Sequence, residues 1–190
     1  HNTTISKLDI TDISANIVDE EIVAITPINE RLDYNFHVND NTIVFNTYND
    51  ITYNRSTYKK VGDADLELMY TGNNCCYKPM YIDGKIYQFE GSNFYELVDG
   101  ELVNYQNLSY YIDRNKIQYV NGKVIALSNN NNMWTPYVIN LDNGNQTVFG
   151  DYQLGDLVNY VQNFAVQSNG NLLMVNNLTS QNSSGSQEVS

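Results

Sequence analysis

Basic side chains are scarce in this sequence: Lys and Arg total 10 against 22 Asp and Glu, for a formal net charge of −12. A surface of that sign repels phosphate backbones, and no basic cluster interrupts it. Nucleic-acid binding and docking to an anionic membrane are therefore disfavoured. No stretch approaches the roughly 18 consecutive apolar residues of a membrane-spanning helix. Histidine occurs only at His1 and His37, neither at ligand spacing from the cysteines, which argues against a zinc site. There is no Gly-x-Ser-x-Gly elbow and no phosphate-cradling glycine loop, and His37 has no recognisable Ser or Cys partner. No catalytic constellation assembles from the residues present.

Cysteine is limited to the adjacent pair Cys75-Cys76. Three states remain open for it: two reduced thiols packed as small hydrophobes, a vicinal disulfide closing an eight-membered ring, or an intermolecular bridge. The chain opens at His1 with no initiator Met and no apolar leader, which reads as a processed or trimmed product. Its polar composition suits an exported protein, so an extracellular or cell-surface location is expected.

What the chain has in quantity is asparagine, about one position in six, and tyrosine, 16 residues against 6 Phe and 1 Trp. Asn is poor in helix interiors and good in turns, while Tyr suits half-buried strands. The composition therefore predicts an all-β protein with many loops.

The stretch from Met80 to Tyr105 organises the rest. Asp83-Gly84 and Asp99-Gly100 each sit between short runs of β-branched and aromatic residues, the strongest local hairpin signal. Two hairpins in succession predict a four-stranded antiparallel meander. Related hairpins turn at Asn39-Asp40-Asn41, Asn121-Gly122 and Asn169-Gly170, and with Asp83-Gly84 these turns are spaced by about 43, 38 and 48 residues. The strands after each turn, Ile43–Phe45, Ile86–Phe89, Val124–Leu127 and Leu172–Val175, are nearly continuous in apolar residues. That pattern predicts burial on both faces, as between the blades of a propeller. Before Pro27 the density of Ile, Thr and Val predicts short strands, ending with Ile22–Ile25, and the spacing of Leu154, Leu157, Val158, Val161 and Phe164 predicts a short linking helix.

The expected fold is thus all-β and β-propeller-like, with about four antiparallel meander blades forming a complete or an incomplete ring. The repeat domain covers residues 1–176. Residues 177–190 read as a polar loop or tail, or as the start of a further hairpin. The motif at Asp83–Tyr87, repeated at Asn121–Ile125, resembles that of bacterial extracellular β-propellers of unknown function, which are similar to low-density-lipoprotein-receptor-type propellers. The resemblance covers residues 32–175 and lacks the Tyr-Trp-Thr-Asp signature. It implies a scaffold for binding, with no catalytic residues to carry over.

On that scaffold Tyr77, Tyr81, Tyr110, Tyr111 and Trp134 are the candidate binding residues, able to stack on a sugar or anchor a protein. Asp63, Asp65 and Glu67 alternate, so on a strand they would share a face, as a solvated acidic edge or a weak Ca²⁺ site. No other cofactor is expected. The expected function is a non-catalytic binding module for a protein or glycan partner at a cell surface, with a carbohydrate-binding or carbohydrate-active domain as the alternative. An incomplete ring would call for oligomerisation.

Overall fold

Every regular element is a β-strand in the residues that the computed structural model describes, which are 3–8, 20–73, 78–130, 133–149, 161–166 and 172–176. In chain order the strands are β1 Thr4–Leu8, β2 Glu20–Ile25, β3 Glu30–Asn39, β4 Thr42–Asn49, β5 Arg55–Val61, β6 Glu67–Gly72 and β7 Lys78–Ile82. They continue as β8 Lys85–Val98, β9 Glu101–Val120, β10 Lys123–Asn130, β11 Met133–Ile139, β12 Gln146–Val148, β13 Val161–Val166 and β14 Leu172–Asn176. Four sheets result, β1-β2, β3-β4-β5-β6, β7 through β12 in sequence order, and β13-β14. Among the described residues no helix is long and apolar enough to cross a membrane.

The turns obey the local rule. Asp83 and Gly84, Asp99 and Gly100, and Asn121 and Gly122 all have positive φ at both central positions. That is the requirement of a type I′ turn, whose twist matches the flanking strands. The chain divides into two compact units, His1–Gln88 with Glu96–Val103, and Phe89–Tyr95 with Asn104–Ser190.

In the first unit the sheet β3-β4-β5-β6 is one complete four-stranded meander. Side chains two apart on a strand share a face, so the register separates two sets of contacts. On one face Phe45 and Tyr58 stack at 5.7 Å and pack with Ala24, Ile5, Leu32, Ile43 and Leu66. On the opposite face Asn46 and Thr57, a cross-strand pair, meet Gln88 of β8. There Asn46 Nδ2 donates to Gln88 Oε1 at 3.2 Å, Gln88 Nε2 to Thr57 Oγ1 at 2.6 Å, and Thr57 Oγ1 to Asn46 Oδ1 at 2.9 Å. This closed ring of three bonds lies in the interior, so each desolvated amide keeps a partner. Val44 through Thr47 are consecutively buried because both faces of β4 are covered. Below the apolar face, Tyr58 donates to Glu30, and burial followed by the Glu30 charge pushes its phenol up to about 12.

The second unit repeats the scheme. Ile125, Leu127, Trp134 and Phe164 form a core with Val138, Phe149 and Val166 against it, while Val124 and Ala126 on the opposite face of β10 are equally buried. The Gln118 side chain reaches across to β13, donating to Phe164 O at 2.8 Å and accepting from Val166 N at 3.0 Å.

Several expectations are corrected. The Met80–Tyr105 stretch is not a separate four-stranded meander. Both hairpins form, but β8 runs from Lys85 to Val98 past Gly91, whose left-handed φ of 59° is that of a bulge glycine, and β9 carries on to Val120. β9 bulges between Ile112 and Ile117, where its register against β10 jumps. Of the three alternating acids only Glu67 is on a strand, since the chain turns at Asp63 and is irregular at Asp65, so they share no strand face. The helical spacing that ends at Phe164 is overruled from Val161 onward, where pairing with β14 makes a strand. The remainder of that segment, the Asn169-Gly170 turn and the 177–190 tail lie outside the described residues.

Candidate functional site

The most unusual local geometry lies in the loop that joins β4 to β5. Asn49 N donates to Asn54 O at 2.9 Å and Tyr53 N to Asn49 O at 2.8 Å. The Asn49 Oδ1 accepts from the N–H groups of Ile51 and Thr52 at 2.9 and 3.0 Å. An Asn that bonds its own following backbone in this way nucleates the turn. The loop from Asn140 to Asn145 has the same two main-chain bonds at 2.9 and 2.8 Å, and its Asn140 Oδ1 accepts from Asp142 N at 2.8 Å.

Both loops need a left-handed residue at their fifth position. The second loop supplies Gly144 at φ 70°, but the first places Tyr53 there at φ 61°. A bulky residue in that region is a genuine outlier. Tyr53 is 69% exposed, so burial does not account for a tyrosine at this position.

Next to Tyr53 the register sets Arg31, Tyr48 and Arg55 directly opposite one another across β3, β4 and β5. Each guanidinium carbon stands 4.9 Å from the Tyr48 ring centroid. The Nε of Arg31 pairs with Asp50 at 3.1 Å and that of Arg55 with Asp33 at 2.9 Å. Asp33 sits at the register shift of β3, which turns its carboxylate toward Arg55. The Tyr53 ring closes the group, 6.4 Å from Tyr48 and tilted by 57°. Two of the chain's three arginines are thus held around one tyrosine, each beside its own carboxylate. Ile51 is also exposed, and Asp50 N links this loop to Asn29 O at 3.4 Å, beside exposed Ile28. The arrangement offers an aromatic face beside hydrogen-bond donors and acceptors.

The residues singled out from sequence are dispersed. Tyr81, in the first unit, is half-buried and bound through its main chain, its N–H donating to His37 Nδ1 and its carbonyl accepting from Asn39. In the second unit the half-buried Tyr110 stacks on Tyr137 at 4.9 Å, and burial followed by the neighbouring Tyr110 raises the Tyr137 phenol. Tyr111 is exposed, its ring lying against Gly91. Trp134, expected as a surface platform, is instead a core residue at 6% exposure, with Lys116 Nζ 4.5 Å from its ring centroid. Tyr77, Cys75 and Cys76 lie outside the described residues.

Among the described residues no three of His, Cys, Asp and Glu converge as metal ligands. A cavity of about 260 Å³ beside Ala24, Lys60 and Leu66 is bordered by Asp63 and Asp65, but Lys60 is engaged with the Ala64 carbonyl at 2.8 Å and both carboxylates face water.

Tyr53 is not among the tyrosines that composition and spacing single out. The usable signal was the shared Asn frame, Asn49 to Asn54 and Asn140 to Asn145, with Gly in one copy and Tyr in the other. Compared with models of known protein families and with curated proteins, the chain gives no match.

Proposed function

We propose that this chain is a non-catalytic binding module on a β-propeller-like scaffold, acting outside the cell or at its surface, with the Tyr53 loop as its contact surface. The propeller-like reading draws support from the contacts between repeats. In each unit a side chain of one pre-turn strand holds the main chain of the next pre-turn strand, His37 with Tyr81 and Gln118 with Phe164, at sequence separations of 44 and 46 residues. Stacked blades of about that length would make such contacts.

The observation that carries the binding role is Tyr53. A protein that keeps a strained, exposed aromatic where glycine would fit is holding that ring for something outside itself. Tyr and Arg are the side chains enriched where binding energy concentrates. The test is binding of the labelled protein to intact cells and extracellular matrix. Saturable binding that disappears in Tyr53→Gly and weakens in Arg31→Ala is expected. Equal binding by all three proteins, or none by the parent, overturns the proposal.

A further inference from the structure

We infer that the ligand of the Tyr53 surface is a neutral carbohydrate, stacked on the Tyr53 ring and hydrogen-bonded by the exposed Arg31–Asp50 pair; this rests on the binding role proposed above. Charge narrows the ligand first. The whole chain carries −12, and at this site each guanidinium stands beside a carboxylate. A phosphate or uronate would meet the long-range repulsion without an uncompensated cation to offset it. A neutral ligand meets no such barrier.

Hydrogen-bonding chemistry narrows it further. A sugar presents vicinal hydroxyls, each both donor and acceptor, around an apolar C–H face. Guanidinium groups only donate and carboxylates only accept, so a fixed pair of the two matches adjacent hydroxyls. Both members of the outer pair are accessible, with Arg31 at 47% and Asp50 at 62% side-chain exposure. Tyr53 supplies the apolar surface.

Rigidity points the same way. The mostly buried Arg55–Asp33 pair and the Arg31–Tyr48–Arg55 stack hold this face in place before a ligand arrives, so less rotamer entropy is lost on binding. A small, weakly apolar ligand depends on that saving more than a large protein interface does.

The experiment screens the parent protein and Tyr53→Gly on an array of neutral and acidic oligosaccharides, follows hits by calorimetric titration, and runs both proteins on cells treated with protease or with periodate. Glycine suits the φ of Tyr53, so the variant removes the ring and leaves the loop. The expected result is retention of neutral glycans, no retention of acidic ones, affinity about tenfold or more lower in Tyr53→Gly, and cell binding abolished by periodate. Acidic glycans alone, or neutral glycans bound equally by both proteins, overturn the inference. Tyr53-dependent cell binding that is lost to protease, with no glycan retained, points to a protein partner and overturns the carbohydrate while leaving the binding role standing. No binding by the parent on array or cells overturns both.

Discussion

The imidazole of His37 accepts the main-chain N–H of Tyr81 at 3.0 Å, and the neighbouring Asn39 amide donates to the Tyr81 carbonyl at 3.1 Å. Two side chains of β3 thereby hold the main chain of β7. The bond requires a neutral imidazole, because a protonated Nδ1 would point a hydrogen at another donor. Burial first, and the Lys78 charge second, depress the His37 pKa to about 4.

Stability should therefore fall with pH in a defined window. The unfolded chain takes up the His37 proton near its ordinary 6.5 while the folded chain resists it until about 4. The contribution is complete above the higher value and declines as pH falls toward the lower one. Urea denaturation of the parent should lose stability between those limits, and His37→Gln should have a shallower slope above pH 5, where most carboxylates are still ionised. Identical slopes would show that His37 does not act this way.

The ring formed by Asn46, Thr57 and Gln88 gives a second prediction. Thr57→Val preserves shape but removes both the donor to Asn46 and the acceptor for Gln88, in a site without water access. The expected cost is about 1–3 kcal/mol in equilibrium unfolding. Thr57→Ser, which keeps the hydroxyl, should recover most of it.

Tyr53→Gly should be no less stable than the parent. The left-handed conformation costs an L-residue about 1–2 kcal/mol, and relief of that strain offsets the flexibility that glycine adds to the unfolded chain. Tyr53→Val, β-branched at the same φ of 61°, should melt below both. A parent clearly more stable than Tyr53→Gly would mean the ring is held for packing rather than for a ligand.

Lys116 is buried beneath Trp134 and pairs with Asp113 three residues earlier in the β9 bulge. Lys116→Met keeps most of the buried volume and leaves Asp113 partly solvated, so its loss should be smaller than that of the alanine variant. Lys116→Ala opens a cavity and should cost about 2–4 kcal/mol. Emission from Trp134, the lone tryptophan, should shift to the red in the alanine variant alone.

Much of this architecture could be read directly from the residues. The Asp-Gly and Asn-Gly pairs located hairpins because so few backbones accept positive φ in succession. The apolar runs at Ile86–Phe89 and Val124–Leu127 correctly announced strands covered on both sides. The long strands were not legible. Whether Glu90-Gly91-Ser92 ends a strand or passes through it depends on pairing with distant residues, and local composition carries no record of that.

The candidate site divides along the same line. Tyrosines and Trp134 were the candidates the sequence offered, yet Tyr53 was not among them and Trp134 is buried. An aromatic side chain is apolar enough to fill a core and polar-edged enough to meet water, so its type alone leaves both options open. The chain by itself determined where it turns, since turning depends on the φ of one or two residues. Only the tertiary structure decided which tyrosines face solvent and that Arg31 and Arg55 converge on Tyr48, because strand register brings together residues far apart in sequence.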